Sequence, residues 1–301
     1  MRISIIIPVY KNKELFLHNF KLNYPLLKKD EIIIIDDASQ ENLAPDVTKI
    51  GKNIQIIENH ENLGFSKSVN IASKQANGDI IVLLNSDVRL QEKFQDQIIK
   101  HFKQDEDLCA VSFLQIEKNG KSVGKNIIGF SKGLPYHNEA KNFKLGINAW
   151  AEGGSCAIRK KYWNSLGGFN QLYTPFYWED IDFSYRAHAR GWKIIFDPEI
   201  IVQHHHESTI KKYFSENFIK TIAYRNQLIF TWSNITDVSL TLQHILFLPY
   251  HILRLTLKGE RAFLIGLLRA IIMIPQIYAI RNKFITQRVV TDVELFKLLD
   301  N

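Results

Sequence analysis

Cysteine is scarce in this chain: among its 301 residues only Cys109 and Cys156 occur. Two thiols so far apart form neither a disulfide framework nor a cysteine metal cluster, and we expect both to be structural thiols in a reducing compartment. The chain also lacks internal repeats and low-complexity tracts. Because 46% of its residues are hydrophobic and 23% are charged, the composition excludes a purely disordered chain.

Long uninterrupted hydrophobic runs are absent too. At the N-terminus, residues 3–8 are too few for a secretory segment and end at a proline rather than a cleavage site, which predicts a buried strand. The run over residues 262–280 approaches spanning length but contains Arg269, Pro275 and Gln276. We therefore expect a helix lying in a membrane interface, or one packed on protein, rather than a helix that crosses a bilayer.

The first half of the chain alternates short apolar runs with segments of helical spacing, which is typical of βαβ units and a largely parallel sheet. The apolar runs are near-continuous Ile, Val and Leu, as expected for strands with helices on both faces. Helices are predicted at Glu14–Asn23 and Ser66–Gln75. The predicted strands are Ile3–Pro8, Glu31–Ile35, Ile54–Glu58 and Asp79–Leu84.

Acidic residues directly follow two of these strands. Asp36 and Asp37 come after the second strand, and Asp87 follows the fourth. Ligands of open α/β sheets bind outside the carboxyl ends of the strands, so both clusters fall at the expected ligand edge. Asp87 has the oxygen chemistry that Mg²⁺ or Mn²⁺ prefers, and Asp36 or Asp37 can accept hydrogen bonds from a base or ribose. A turn role, or helix capping through Ser39, is the alternative.

Two further polar clusters occur later in the chain. Glu179 and Asp180 follow Tyr177 and Trp178 at the start of a predicted helix, where a carboxylate could act as a general base and the aromatic faces could pack on a sugar ring. Acids at a helix N-terminus that only stabilise its dipole are the alternative. Residues 204–206 are three histidines, and we expect one of them to bind a metal; a solvated edge is the alternative.

The charge balance is basic, with a formal net charge of +7. Residues 238–290 contain seven basic residues against one acid, Glu260, among dense Leu, Ile and Phe. A polar stripe on this predicted helix includes His244, His251 and Arg254. This basic amphipathic pattern favours an anionic membrane surface, with packing on protein or another subunit as the alternative. Nucleic acid is disfavoured because the basic residues do not line a polar groove with stacking aromatics.

Taken together, these segments resemble the family 2 glycosyltransferases, and within them the rhamnosyltransferase-like branch that builds bacterial surface polysaccharides. The resemblance covers roughly residues 3–235, and the order and spacing of its motifs are more specific than any single motif. The matching pieces are Ser4–Tyr10, Ile35–Ser39, Asn62–Phe65 with Asn70, Leu84–Asp87, Glu152–Ser155, Leu166–Asn170, Trp178–Asp182 and the histidine run.

The resemblance implies a GT-A fold: a Rossmann-like, mostly parallel sheet flanked by helices over residues 1–235, followed by a helical, basic amphipathic region over residues 236–301. It implies an inverting enzyme that moves a sugar from a nucleoside diphosphate, with dTDP-rhamnose or a UDP-sugar as candidate donors, to a glycan or polyprenyl-linked acceptor. A Mg²⁺ or Mn²⁺ ion is implied as well. We expect a cytoplasmic protein, peripheral on the inner face of the membrane and able to form oligomers.

Roles for single residues follow from the same resemblance. Pro8 and Tyr10 would line the nucleotide pocket, Asp36 or Asp37 would hold the base or ribose, and Asn85 would lie beside the donor.

On the acceptor side, Gly153 and Gly154 would border donor and acceptor, with Trp178 and Glu179 near the sugar and Asp180 as the catalytic base.

The metal would be bound by Asp87, the last acid of the family's DxD motif, and by His204, six residues after Pro198. Two departures matter. The motif is Asn85–Ser86–Asp87 here, so one carboxylate remains and His204 and water must supply more of the coordination. Val69 stands where many relatives have an arginine, which leaves Lys67 as the candidate for diphosphate contact.

Two other function classes are the alternatives. A sugar-1-phosphate nucleotidylyltransferase would need a glycine-rich phosphate loop after the first strand, and residues 10–13 contain no glycine. A catalytically silent paralogue that binds nucleotide sugars or scaffolds a membrane assembly is the second, and the presence of Asp87, Asp180 and His204 together argues against it.

Overall fold

The computed structural model describes residues 1–204 and 212–300. Two of the three predicted histidines, His205 and His206, therefore lie outside the described residues. Within the described part, helices cover both faces of a central sheet, and a helical region follows it in the chain.

Four parallel strands form one half of the central sheet, in the order β4-β1-β2-β3. Ile5 and Ile7 point into one core with Phe20, while Ile6 points into the opposite core with Val69. Because both faces are buried at β1, β2 and β4, these three strands have nearly continuous apolar sequences, as predicted, whereas the edge strand β3 has exposed polar residues. The strands are β1 (Ile3–Val9), β2 (Glu31–Asp36), β3 (Ile54–Glu58) and β4 (Ile80–Leu84).

The other half of the sheet is mixed. Strand β11 (Ser155–Arg159) lies antiparallel between β4 and β6 (Leu108–Glu117), and β12 (Lys193–His204) is parallel to β6. Because β11 is antiparallel to β4, its start lies at the edge where β1, β2 and β4 end. Three short strands complete this half, namely β5 (Val88–Leu90) and β10 (Gly146–Ile147) beside β12, and β7 (Ser122–Val123) beside β6.

Helices cover both faces of the sheet. Residues of α1, α2 and α4 share the core on one face, and residues of α3, α5 and α6 share the core on the other. The helix predicted at Glu14–Asn23 extends further, to Leu27, and the other early helix lies where predicted. The helices are α1 (Lys13–Leu27), α2 (Ala44–Ile50), α3 (Phe65–Gln75), α4 (Gln95–Gln104), α5 (Lys160–Leu166) and α6 (Glu179–Ala189).

A separate hairpin, β8 (Asn126–Ser131) and β9 (Leu134–Glu139), shares a third core with α6 and the C-terminal helices. Asp292, wholly buried at the start of the last helix, accepts a hydrogen bond from Tyr185 Oη of α6 at 2.6 Å and pairs with Arg288 at 2.5 Å. Residues on both sides of position 235 therefore pack together. The C-terminal helices are α7 (Glu216–Asn234), α8 (Val238–Leu257), α9 (Arg261–Ile272), α10 (Ile274–Ile285) and α11 (Asp292–Leu299).

The apolar run over residues 262–280 forms two helices rather than one. Helices α9 and α10 meet at Met273 with a bend of 66°, and Pro275 lies in the first turn of α10, where a missing backbone N–H is tolerated. In the part of the chain that the structure describes, no single helix has the length and apolar composition to cross a membrane, whereas this bent pair meets both criteria.

Candidate active site

A cavity of about 360 Å³ opens at the sheet edge where β1, β2 and β4 end. Pro8 and Tyr10 from the end of β1, Asp37 after β2, and Asn85 and Asp87 after β4 all line it. The parallel register brings these five side chains together although almost eighty residues separate them in the chain. Asp37 and Asp87 were predicted as site residues from their positions after strands, and Pro8, Tyr10 and Asn85 from the resemblance to the glycosyltransferase family.

The start of β11 forms the opposite border of the cavity. The backbone N–H of Asn85 donates to the carbonyl of Gly154 at 2.8 Å, which brings the two chain segments into direct contact. A Cβ atom at Gly154 would lie 2.7 Å from Asn85 Nδ2, and one at Gly153 would lie 2.9 Å from the ring of Phe65. Only glycine allows this approach, which accounts for the glycine pair that the sequence predicted at the site.

The loop that leads into α6 has a strained backbone. Tyr177 and Trp178 both adopt left-handed conformations, with φ of 72° and 76°, which bulky residues rarely do. The two side chains diverge as a result. Tyr177 lines the cavity, whereas Trp178 is buried with its ring 5.2 Å from those of His137 and Phe230. Trp178, predicted near the sugar, therefore lies in the core and positions its neighbours.

Asp180 faces the cavity from the first turn of α6. Its Oδ2 accepts a hydrogen bond from the Gly153 N–H at 3.2 Å, and its Oδ1 accepts one from the Ile181 N–H at 2.8 Å. Enclosure by protein raises the pKa of this carboxyl from 3.8 to about 6; the Gly153 bond opposes this rise, and the charge of Glu152 adds to it. A carboxyl with such a pKa is a deprotonated base near pH 7 and can carry the proton it receives.

Glu179 also lines the cavity and is only 7% exposed. Burial raises its pKa well above the usual range, and the neighbouring Asp180 raises it further. Within the described part of the chain, its Oε2 atom is buried and has no hydrogen-bond partner. This unused oxygen is available for a hydrogen bond with a ligand, and the position of Glu179 beside a sugar stays a prediction.

The third acid of this segment, Asp182, does not reach the cavity. It is wholly buried, pairs with Arg186 at 2.7 Å, and accepts hydrogen bonds from Tyr173 Oη at 3.0 Å and from Asn234 Nδ2 at 2.8 Å. The bonds from Tyr173 and Asn234 bind α6 to the preceding loop and to α7, and the pair with Arg186 lies within α6. Asp182 therefore holds in place the helix whose first turn carries Asp180.

Asp87 and His204 meet at the base of the cavity. His204 is the last residue of β12 and is paired with Val88 of β5, so its side chain lies close to Asp87, which directly precedes Val88. The Nε2 atom of His204 lies 3.1 Å from Asp87 Oδ1. Over residues 1–204 and 212–300, no cluster of three or more His, Cys, Asp or Glu side chains is arranged to bind a metal ion. The described residues thus offer two candidate protein ligands at this point.

Two more predicted residues lie outside the cavity lining. Asp36 accepts hydrogen bonds from the backbone N–H and the Oγ of Ser39, both at 2.8 Å, which is the turn role that the sequence left open; the next helix begins only at Ala44. Lys67 lies on α3, but this helix faces the cavity with Phe65 and Ser68, and Lys67 is on another side of it. A lysine contact to a diphosphate is therefore not part of the described arrangement.

Asp37 has two roles. Its Oδ1 accepts from Asn59 Nδ2 and from the Leu63 N–H, and its Oδ2 accepts from the Gly64 N–H, all at 2.8 Å. These bonds fold the loop before α3 against the cavity. Since a carboxylate accepts about four hydrogen bonds, one position remains for a ligand.

The sequence did not assign a role to Glu152, which also lines the cavity. The sequence feature that could have identified Glu152 is its position directly before the Gly153–Gly154 pair. Aromatic side chains of the lining were missed as well, because they come from separate segments, namely Phe65, Phe176 and Phe214. The described lining contains neither lysine nor arginine. It contains five carboxyl groups, those of Asp37, Asp87, Glu152, Glu179 and Asp180.

This arrangement matches a known class of protein. The chain belongs to the glycosyl transferase family 2, whose profile matches residues 4–167, which confirms the predicted family. It is 30% identical over 181 residues to the poly-beta-1,6-N-acetyl-D-glucosamine synthase of Staphylococcus aureus, covering 57% of this chain and 42% of that protein. The chain thus spans less than half the length of the synthases it matches.

A second relative and a solved structure match more of their own length. The O-antigen chain rhamnosyltransferase RfbN of Salmonella typhimurium is 24% identical over 226 residues, covering 72% of this chain and 71% of that protein. The mannosyltransferase PcManGT from Pyrobaculum calidifontis, solved with GDP-Man and Mn²⁺, superposes with a TM-score of 0.55 at 13% identity, covering 90% of this chain and 87% of that one. Together with the strand order, this likeness confirms the predicted GT-A fold.

Proposed function

We propose that this protein is an inverting glycosyltransferase that moves a sugar from a nucleoside diphosphate to a hydroxyl of a glycan or lipid-linked acceptor during surface polysaccharide synthesis. The candidate donors are dTDP-rhamnose and UDP-sugars. The observation that carries the proposal is Asp180, a carboxyl group with a pKa of about 6 that faces a cavity bordered by the ends of β1, β2, β4 and β11. The family and the relatives named above support the same reaction class.

The reaction is a single displacement. The acceptor oxygen forms a bond to the anomeric carbon while the bond from that carbon to the diphosphate oxygen breaks, and Asp180 takes the proton of the acceptor hydroxyl. The Gly153 N–H, 3.2 Å from Asp180 Oδ2, orients the carboxylate for this step. Glu179, whose Oε2 has no partner within the described residues, forms a hydrogen bond with a sugar hydroxyl, and the rings of Phe176 and Tyr177 pack against a sugar face.

A divalent cation, Mg²⁺ or Mn²⁺, fits this site. An anionic diphosphate cannot enter a lining of five carboxyl groups without a cation, and the described lining contains no lysine or arginine. Asp87 Oδ1 and His204 Nε2, 3.1 Å apart, would hold the ion from the protein side. Phosphate oxygens and water would fill the other positions. When bound, the ion neutralises the charge that develops on the leaving diphosphate.

The test measures binding and transfer separately. We expect UDP-GlcNAc, dTDP-rhamnose or GDP-mannose, each supplied with Mn²⁺, to raise the melting temperature by about 5 °C or more at saturation, and EDTA to abolish the shift. The Asp180→Asn variant should keep this shift and lose transfer by about 100-fold or more, whereas Glu106→Gln, at an exposed acid, should keep both. Donor binding without any transfer or donor hydrolysis, with Mn²⁺ or Mg²⁺, would refute the enzyme and favour a catalytically silent protein, and absence of donor binding with every sugar and both metals would refute the nucleotide-sugar site itself.

We also propose that the C-terminal helices bind the anionic cytoplasmic face of a membrane, where a polyprenyl-linked acceptor would be found. Seventeen of the twenty-three exposed large hydrophobic side chains in the described residues lie between positions 238 and 298. On α8, Leu246, Leu253 and Leu257 are 74%, 63% and 79% exposed and lie on one side of the helix. An uncovered apolar surface of this kind marks a binding surface.

The orientation of α8 differs from the sequence expectation. His244 Nδ1 and His251 Nε2 lie 2.6 and 2.7 Å from backbone carbonyl oxygens of the loop between β8 and β9, so the histidines of the polar stripe face the protein, whereas Arg254 of the same stripe is exposed. The apolar stripe faces outward instead. A sequence cannot distinguish these two orientations, because the period of 3.6 residues is the same in both.

Basic side chains accompany the outward apolar face and favour an anionic lipid surface as its occupant. Arg254, Lys258 and Arg261 are exposed around the end of α8, next to Leu253 and Leu257. Two of the seven basic residues counted in this region point into the protein instead. Arg288 pairs with buried Asp292, and Arg281 donates to two backbone carbonyls. The exposed cations are suited to contact phosphate head groups while the leucines enter the acyl boundary.

Vesicle binding tests this proposal on the full chain. Wild-type protein should sediment with vesicles of 30% phosphatidylglycerol in phosphatidylcholine at about tenfold lower lipid concentration than with phosphatidylcholine alone. Combined Leu246→Gln, Leu253→Gln and Leu257→Gln substitutions should abolish this binding and leave donor binding intact. Leu145→Gln, at an exposed leucine of the sheet domain, is the control. If the wild type does not bind vesicles, and is a dimer where the triple variant is a monomer, the surface binds a second copy of this chain instead.

A further inference from the structure

A chain of buried polar side chains lies behind the proposed metal site. His204 Nδ1 lies 2.6 Å from Gln115 Oε1, and Gln115 Nε2 donates to Glu152 Oε2. The other oxygen of Glu152 accepts from Asn126 Nδ2 at 3.0 Å. On its far side, His204 Nε2 faces Asp87 Oδ1 at 3.1 Å. The chain therefore connects β4, β12, β6 and the segment before β11 across the interior.

The direction of these hydrogen bonds follows from which groups can donate. An ionised carboxylate only accepts, so Glu152 requires the amide nitrogen of Gln115 and the amide nitrogen of Asn126. The amide oxygen of Gln115 must then point at His204. An amide oxygen cannot donate, so Nδ1 of His204 carries the hydrogen.

We propose that Gln115 is a positioning residue that fixes His204 in the Nδ1–H tautomer and thereby turns the Nε2 lone pair towards Asp87 and the cation of the proposed transferase. The inference rests on the proposed function for the identity of the cation. Metal-binding histidines commonly have their other ring nitrogen oriented by a hydrogen bond, and such partners affect affinity without touching the metal.

The burial and register of these residues favour a single fixed orientation of the Gln115 amide and the His204 ring. Gln115 and Asn126 are buried and His204 nearly so, which means that an unmatched donor or acceptor would have no water to replace it. Gln115 is paired with Val202 in the parallel register of β6 and β12. Residues two apart on a strand share a face, so Gln115 projects on the same side of the sheet as His204.

As a consequence of the Nδ1–H tautomer, two hydrogen-bond acceptors face each other, His204 Nε2 and Asp87 Oδ1. In this tautomer, which is the form of the ring that binds a cation, Nε2 directs its lone pair at the carboxylate of Asp87 over a distance of 3.1 Å. This pair is repulsive without a positive charge between or beside the two atoms. Gln115 therefore prepares a position for a cation, although it does not line the cavity itself.

The same residue also influences the acceptor side. Gln115 is one of two amide donors that hold Glu152, and Glu152 immediately precedes Gly153, whose N–H orients Asp180. A change at position 115 is therefore expected to affect metal affinity first and transfer second. The readouts for the two sites must be kept separate.

The test uses a pair of variants of the full chain. Gln115→Met keeps the approximate size of the side chain and removes both amide groups. The combined Gln115→Glu and Glu152→Gln substitutions exchange donor and acceptor, so the carboxylate introduced at position 115 still accepts from Nδ1–H. Gln55→Met, at an exposed strand position of β3, controls for the added methionine.

Two measurements are made, and the first needs no metal. Long-range ¹H–¹⁵N spectra of the imidazole rings, with the His204 signal assigned by its loss in His204→Asn, should show the Nδ1–H tautomer in wild type and in the exchanged pair. Gln115→Met should show a mixture or the Nε2–H form. Electron paramagnetic resonance should show that Mn²⁺ binds, in the presence of UDP, about 10- to 100-fold more weakly to Gln115→Met and near wild-type strength to the exchanged pair.

The outcomes separate the two proposals. If Gln115→Met keeps the wild-type tautomer, the positioning role is refuted whatever the Mn²⁺ affinity. If the exchanged pair loses the tautomer as fully as the methionine variant does, the effect comes from packing and the role is refuted as well. If wild type has the Nδ1–H tautomer but binds no Mn²⁺ with UDP, the metal-dependent function fails while the tautomer assignment stands.

Discussion

Asn226, in the middle of α7, holds the loop that carries the proposed base. It is wholly buried, and its Nδ2 donates to the carbonyl oxygens of Tyr173, Phe176 and Tyr177 at 3.1, 2.9 and 2.7 Å. Its Oδ1 accepts from the guanidinium of Arg225 at 2.7 and 2.9 Å. The Asn226→Ala substitution removes all these contacts at once.

The size of the effect follows from the groups left behind. The carbonyls of Tyr173 and Phe176 are buried, and a buried acceptor without a partner costs about 1–3 kcal/mol, so the free energy of unfolding should fall by about 2–5 kcal/mol. This corresponds to a loss of about 5–15 °C in melting temperature. The left-handed backbone at Tyr177 and Trp178 stores about 1–2 kcal/mol per residue. Without Asn226 the remaining bonds no longer outweigh this strain, and the loop should relax.

Relaxation moves the first turn of α6, and a displacement of about 1 Å at a reacting group costs about 100-fold in rate. We therefore expect kcat to fall about 100-fold at a temperature well below the melting point, while the dissociation constant of the donor changes by less than about threefold. Calorimetry, titration with the donor and steady-state transfer measure the three quantities. Asn217→Ala, at an exposed position of the same helix, is the control. Lower stability with unchanged kcat would refute the positioning argument.

Three further predictions concern the same cavity. The transfer rate should rise with pH through about 6 as Asp180 loses its proton. Glu152→Gln should move this rise to lower pH, because it removes a negative charge that raises the pKa of Asp180. An unchanged pH profile in that variant would contradict the role of the Glu152 charge. The folded pKa of Asp180 exceeds 3.8, so its contribution to stability should decrease as pH rises from about 4 to about 6, as checked by urea unfolding across that range. Gly154→Ala should weaken donor binding about tenfold or more, because its Cβ would lie 2.7 Å from Asn85 Nδ2; titration with the donor checks this, and unaltered affinity would show that Asn85 can shift freely.

The strands and the ligand edge could be predicted because they depend on local patterns. Strands buried on both faces must be apolar at every position, which made β1, β2 and β4 recognisable. Residues that directly follow parallel strands must lie at one edge, so the sequence alone was enough to group Asp37 with Asn85 and Asp87. Tyr10 and the base role of Asp180 came from the family resemblance, because an acid at a helix start can also serve only to stabilise the helix dipole.

Choices between neighbouring residues could not be made from the sequence. Asp36 and Asp37 are adjacent and chemically identical, and only the turn at Ser39 directs Asp36 away from the cavity. Lys67 has the right charge but lies on another side of α3 than Phe65 and Ser68. In each case the direction of a side chain depends on local backbone geometry, which the residue type does not reveal.

The sequence by itself determined the family, the order of strands and helices along the chain and the chemical types at the ligand edge, because these depend on composition, period and spacing. The tertiary structure alone decided which side of α8 faces outward, and it alone joined Gln115 to His204 and Asn226 to the loop before Asp180. Those contacts connect segments about fifty to ninety residues apart. Whether a buried polar group has a partner depends on what the fold places opposite it, and no local pattern records that.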